Sequence, residues 1–170
     1  MTNKMITLSL LLLSGTVLAQ HDHAKQNEEK KSAISAVTFS DAKLGLAYGQ
    51  YTLLKEALVA SHAEEAKKVA SELKKALREA KGSVTSIDLA EKISATSDLD
   101  GQRIVFSTLS DEVAKLVKEG KLLTGAIYLD YCPMANDNAG AVWLSNQKEI
   151  RNPYFGDAML KCGSVKEIIH

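Results

Sequence analysis

The chain has 170 residues, 45% of them hydrophobic, with only 5% aromatic and 25% charged. Lysine plus arginine and aspartate plus glutamate both number 21, so the formal net charge is zero. A balanced surface gives no electrostatic reason for a nucleic-acid partner or an anionic membrane surface, and the length suits one domain.

The first residues, "MTNKMITLSLLLLSGTVLAQ", read as a secretory signal peptide over 1–19. A basic start ends at Lys4 and an apolar run spans Met5 to Leu13. Val17 and Ala19 then stand at −3 and −1 of a cleavage before Gln20. The apolar run is shorter than the roughly 20 residues a membrane span needs, so no stable membrane insertion is expected after cleavage. The expected product is soluble, exported and periplasmic. Without Lys4 the balance is 20 basic against 21 acidic residues. Residues 20–37 are polar and read as a flexible N-terminal arm. The single domain is expected over 38–170, as a helical bundle at 38–120 followed by a cysteine/methionine segment at 121–170.

Four amphipathic helices are predicted. Ser40 can cap the first, which runs to about Ala60 with Leu44, Ala47, Tyr48, Tyr51, Leu54 and Leu58 on one face. Gly45 and Gly49 lie one turn apart in it, each costing about 1 kcal/mol against alanine. A close backbone neighbour is therefore expected there. Ser61 and Glu64 form a capping-box pattern for the second helix. Its stripe runs from Ala63 through Leu73 and Leu77 to Ala80, and Gly82 ends it. Ser86 can cap a third helix carrying Ile87, Ala90 and Ile93. Asp98 or Asp100 begins the fourth, with Phe106, Leu109, Val113 and Val117 inward and Gly120 as its stop. Short connections between such helices predict a mainly α fold, an antiparallel four-helix bundle.

After Leu122 the pattern changes. Alternation around Ile127 and Leu129 predicts a strand, and "GAVWLS" a second one after the turn "NDNAG". "RNPYFG" is a connector, because Pro153 disfavours helix at Asn152. "GDAMLKCG" reads as one helical turn stopped by Gly163, and "SVKEII" as a last short element. Five of the nine aromatics, Tyr128, Tyr131, Trp143, Tyr154 and Phe155, fall in this irregular segment. Irregular segments on a rigid scaffold often carry function.

The only two cysteines, Cys132 and Cys162, lie here, each close to a methionine. Cys132 and Met134 are two apart, on one side of an extended chain. Met159 and Cys162 are three apart, on one face of a helical turn. Two thiolates and two thioethers meeting at one point would select a soft ion such as Cu(I). Zinc fits less well, since no histidine is near. The bland alternative is a disulfide closing a loop of about 31 residues, worth roughly 3.5 kcal/mol by chain entropy. Met134 and Met159 would then be ordinary packing residues. Spacing leaves both open, and the two states can alternate.

His21 and His23 form a secondary candidate for Cu(II) in the arm. His62 and His170 read as a surface and a terminal residue. Trp143 can lie over a bound cation, though core or hinge packing explains it more simply. Nothing marks an enzyme: there is no Gly-rich phosphate loop, metalloprotease signature or nucleophile elbow.

The stretch "YCPMANDNAGAVWLSNQKEIRNPYFGDAMLKCG" resembles a bacterial exported family of unknown function. Its members occur alone or fused to the periplasmic adaptor (membrane-fusion) proteins of copper and silver efflux pumps. "YGQYTLLKEALVASHAEEAKKVASEL" and "GQRIVFSTLS" resemble the family's bundle, so the resemblance runs over roughly residues 40 to 169. It implies copper handling, with Ag(I) as a second soft ion, an efflux adaptor as partner and no established enzymatic activity. It places Cys132 and Met134 in a "CPM" element and Met159 and Cys162 in an "MLxCG" element. "CPM" also resembles the heavy-metal motif of related adaptors, which usually has a histidine soon after the methionine. Ala135 and Asn136 stand there in this chain, which points to an all-sulfur site. A disulfide-stapled module docking to an adaptor or another envelope protein is the alternative.

Overall fold

Helix α1 spans Ala42–Val59, and its first turn is held by Asp41 rather than Ser40. The Asp41 carboxylate accepts a 2.8 Å hydrogen bond from the Lys43 amide, leaving Ser40 outside the cap. The structure, a computed structural model, describes residues 37–170. The signal peptide, the arm to residue 36, His21 and His23 lie outside the described residues.

Three more long helices follow: α2 (Ala63–Glu79), α3 (Val84–Ser94) and α4 (Leu99–Glu119). The capping box expected at Ser61 and Glu64 does not form. Ser61 adopts a left-handed φ of 58°, His62 stands at the N-cap position, and no side chain caps α2. The helix starts one residue late because the tight α1–α2 turn uses Ser61. Helix α3 is capped by Ser83, whose hydroxyl accepts from the Ser86 amide at 3.0 Å. Ser86, the expected cap, sits inside the helix instead. Asp98 caps α4, accepting from the Gly101 amide at 3.1 Å.

Most of the predicted stripes are buried, though Ile87 of α3 is only partly so. Leu44, Tyr48, Tyr51, Leu54 and Leu58 of α1 are buried, as are Ala66, Ala70, Leu73 and Leu77 of α2. Phe106, Leu109, Val113 and Val117 of α4 complete the same core. Consecutive helices pack on one another, and α1 also touches α4. The close approach expected at Gly45 and Gly49 is absent. A Cβ on Gly45 would be 3.9 Å from Phe39, and one on Gly49 would meet nothing within 4 Å.

The strands among the described residues form two sheets. β1 (Thr38–Phe39) pairs antiparallel with β2 (Leu122–Thr124), joining the start of the described chain to the end of α4. The second sheet has the order β4-β3-β5, antiparallel throughout, from β3 (Ile127–Cys132), β4 (Ala141–Ser145) and β5 (Ser164–Ile169). β3 is the central strand and is mostly buried, as a strand covered on both faces should be. A short turn, α5 (Ala135–Asn138), joins β3 to β4. The one-turn helix expected around Met159 is smaller than predicted: a 3₁₀ turn covers Gly156–Ala158 and ends before Met159.

Aromatic rings fasten the sheet to the helices. Phe39, Tyr48, Tyr51, Phe106, Tyr154 and Trp143 make successive ring contacts, with centroids 5.3 to 6.3 Å apart. Among them, the Tyr51 hydroxyl lies 2.7 Å from Ser110 Oγ of α4 and accepts from the Leu144 amide of β4 at 3.0 Å. One side chain of α1 therefore ties α4 to the sheet.

Candidate functional site

Cys132 ends β3, and the register puts it opposite Ala141. Asp130, two residues earlier, is opposite Trp143 on the same sheet face. Cys132, Asp130 and Trp143 are all fully buried. On the other side of β3, Tyr131 pairs with Ser164, the first residue of β5. That register brings the residues just before Ser164 alongside the end of β3.

Two devices then aim Cys162. Its amide donates to Met159 O at 3.0 Å, closing a tight turn over Met159–Cys162. Its carbonyl accepts from Asn152 Nδ2 at 2.8 Å. Asn152 is itself fully buried and well bonded. Its amide donates to Leu160 O at 2.9 Å, and its Oδ1 accepts from the Tyr154 and Phe155 amides at 2.8 and 3.2 Å. This residue organises the thiol loop, although nothing in the sequence pattern marks it for that role. The available signal was a short-range one, an Asn before Pro, which favours turns.

The result is that the Sγ atoms of Cys132 and Cys162 lie 2.8 Å apart as free thiols. A disulfide bond is about 2.05 Å. Two thiolates sharing one metal at about 2.3 Å per bond stand roughly 3.8 Å apart at a tetrahedral centre. The pair is thus closer than a shared ion allows and wider than a bond. The hydrogen bond with Cys132 pushes the Cys162 thiol above its ordinary value, which favours the protonated form. Metal uptake by this pair must therefore displace protons.

The two methionines are placed differently. Met134 is 46% exposed and Met159 is partly exposed. Both line one groove of about 470 Å³, together with Asp100, Arg103, Asp137 and Phe155, and neither cysteine lines it. The four sulfurs expected at one point are therefore distributed as a thiol pair in the sheet and a thioether pair at a groove. Among the described residues, no group of three or more His, Cys, Asp or Glu side chains is arranged to hold a metal ion.

Trp143 packs edge-on to Tyr154 in the core, with ring centroids 6.0 Å apart. A ring that does meet a cation is Tyr131, with Lys166 Nζ 5.2 Å from its centroid. His62 lies at the surface, its Nδ1 3.2 Å from Glu65.

An unexpected ionisable group lies beside the thiols. Burial pushes the Asp130 carboxyl up to about 7, while Lys55 and then Trp143 act to lower it. Trp143 Nε1 is near enough to favour the charged form, but neither Asp130 oxygen is in hydrogen-bond geometry with any group among the described residues. Lys55, almost fully buried, pairs instead with Glu56 at 2.6 Å, and Glu56 also meets Arg151 at 3.3 Å.

No curated protein and no solved structure matches this chain. The model of a family described as a protein of unknown function (DUF3347) matches residues 47–125. That stretch runs from within α1 to just past β2 and contains none of the four sulfur residues. By this match the chain is similar, through its helical part, to a family without an assigned function.

Proposed function

We propose that the protein is an exported, periplasmic one that holds Cu(I), with Ag(I) as its chemical substitute, and serves in copper handling or efflux. The thiolates of Cys132 and Cys162 are the principal ligands. The observation that carries this reading is the convergence of the only two cysteines, from positions 30 residues apart, to 2.8 Å. Soft sulfur donors select monovalent copper and silver over hard ions. The pair must open by roughly 1 Å to share an ion. The turn over Met159–Cys162 would have to shift for this, since Cys132 lies in the central strand. The helices, read as an antiparallel four-helix bundle, serve as scaffold, and an efflux adaptor is the expected recipient.

Competition with a coloured Cu(I) chelator tests this on reduced protein. About one tightly held ion per chain is expected at the thiols, and Cys132→Ser with Cys162→Ser should abolish that tight uptake. Unchanged affinity in that double variant would overturn the reading.

A second reading is favoured by the same distance. At 2.8 Å the sulfurs are nearer to a disulfide than to a shared ion. A stapled module that docks to an adaptor or other envelope protein without metal would then result. Thiol counting on protein taken from its own compartment separates the two. Counted after unfolding in the presence of a chelator, no free thiols supports the staple, and two supports the metal site.

A further inference from the structure

We propose that Met134 and Met159 form a soft-cation site of their own, at which Cu(I) or Ag(I) is captured by thioethers without the thiols. The site extends the soft-metal reading but does not need the thiol pair. It stands equally if the cysteines are bonded to each other.

The placement comes first. Met134 leaves the end of β3 and Met159 precedes the turn to Cys162, yet both side chains line the same groove. The usual account of methionine is a flexible filler of core gaps. It does not fit Met134, which is 46% exposed. The backbone beneath it is firmly held. Asn136, Asp137 and Asn138 have φ of 51°, 51° and 69°, three left-handed residues in succession. Asn and Asp tolerate that region best among residues with a side chain. Asn136 Nδ2 donates to Ser107 Oγ of α4 at 2.7 Å, pinning the loop to the helix. Met159 is held in turn by the bond from the Cys162 amide to its carbonyl.

The chemistry of the lining selects the ligand. A thioether is neutral and soft, with little affinity for magnesium, calcium or zinc. Asp100 and Asp137 bring negative charge to the groove. Arg103 also lines it and balances Asp100, whose Oδ1 lies 3.9 Å from its Nη1, so the excess negative charge of the lining is that of Asp137. A thioether also has no proton to lose. Binding in the groove therefore releases no proton, whereas binding by a thiol does. The two sites differ in access as well. The groove is open, whereas Cys132 is fully buried. Each thioether is two or three residues from a thiol along the chain, an arrangement suited to capture in the groove and retention within.

The test uses protein labelled with ¹³C at the methionine methyls and carrying Cys132→Ser with Cys162→Ser. It is titrated with silver nitrate in chloride-free buffer. The Met134 and Met159 methyl resonances should move together and saturate at one Ag(I) per chain. The affinity should agree at pH 5 and pH 7. Met134→Leu and Met159→Leu, near-isosteric changes that spare the fold, should each weaken uptake by about tenfold or more. Movement of only one methyl, or of neither, overturns the proposal, as does a strong loss of affinity at pH 5. The two readings fail separately. Loss of all silver binding in the double serine variant removes the groove site and leaves the thiol site standing. Cu(I) affinity unaffected by those serines removes the thiol site and leaves the groove.

Discussion

Gly163 lies hard against Trp143. A Cβ at this glycine would stand 2.9 Å from Trp143 Cη2 and 2.9 Å from Tyr131 O, and its φ is +137°. The residue linking Cys162 to β5 thus has no room for a side chain and a backbone few other residues adopt. Gly163→Ala should destabilise the protein by about 2 to 3 kcal/mol. It should also slow closure of the Cys132–Cys162 bond. Denaturation followed by Trp143 fluorescence checks the first effect, and the chain has only this tryptophan. Quenched thiol labelling checks the second. Wild-type stability in the variant would show that the contact relaxes at no cost.

Tyr51 joins three elements through one oxygen. Removing it leaves the Leu144 amide and the Ser110 hydroxyl without their buried partner. Tyr51→Phe should cost about 1 to 3 kcal/mol, the usual penalty for an orphaned buried group. Hydrogen exchange at the Leu144 amide should rise well beyond that at helix-centre amides of α2, which the change does not touch.

Arg103 holds the connector before the thiol loop against the end of α1. Its side chain donates to Pro153 O, Leu58 O and Ser61 Oγ at once. Arg103→Ala should destabilise by about 2 to 3 kcal/mol. Arg103→Lys should recover little of this, because an ammonium lacks the planar fork that reaches three acceptors. Urea denaturation of the two variants side by side gives the comparison, and full rescue by lysine would contradict it.

Asp130 sets a pH dependence. Its folded value is about 7 against an ordinary 3.8. Between these values the folded chain keeps a proton that the unfolded chain has lost, so stability falls as pH rises through that window. Three pH units at about 1.4 kcal/mol each bound the loss at roughly 4 kcal/mol. Asp111, also raised by burial, acts in the same direction. Glu91 and Glu112, lowered by hydrogen bonds from Lys74 and Lys115, act the opposite way and only at lower pH. Asp130→Asn should therefore flatten the melting temperature between pH 5 and pH 8 and make the protein more stable than wild type at pH 8. An unchanged slope would mean that Lys55 compensates the carboxylate fully.

Helix content and core stripes were legible because 3.6-residue spacing is a local property. The spacing of Ala66, Ala70, Leu73 and Leu77 in α2 needs no knowledge of the partner face. Caps were less legible. Ser40, Ser61 and Ser86 are all good cap residues, but which of several polar neighbours takes the position depends on the turn before the helix. Ser61 shows this, since its left-handed φ removes it from the cap. The pairing of β1 with β2 was not legible at all, as it joins Thr38 to Thr124, 86 positions apart.

The sequence by itself determined that there are four long helices, that strands follow them, and that both cysteines, each with a methionine nearby, lie beyond the last long helix. Only the tertiary structure decided how that sulfur is shared out. Spacing shows which side chains leave the same face of one element, and so it paired each cysteine with its neighbouring methionine. The β3–β5 register and the buried Asn152 instead pair thiol with thiol, while the segment after β3 and the turn before Cys162 bring the two thioethers to a groove. Contacts between distant segments are set by packing and by the satisfaction of buried polar groups, neither of which has a period to read.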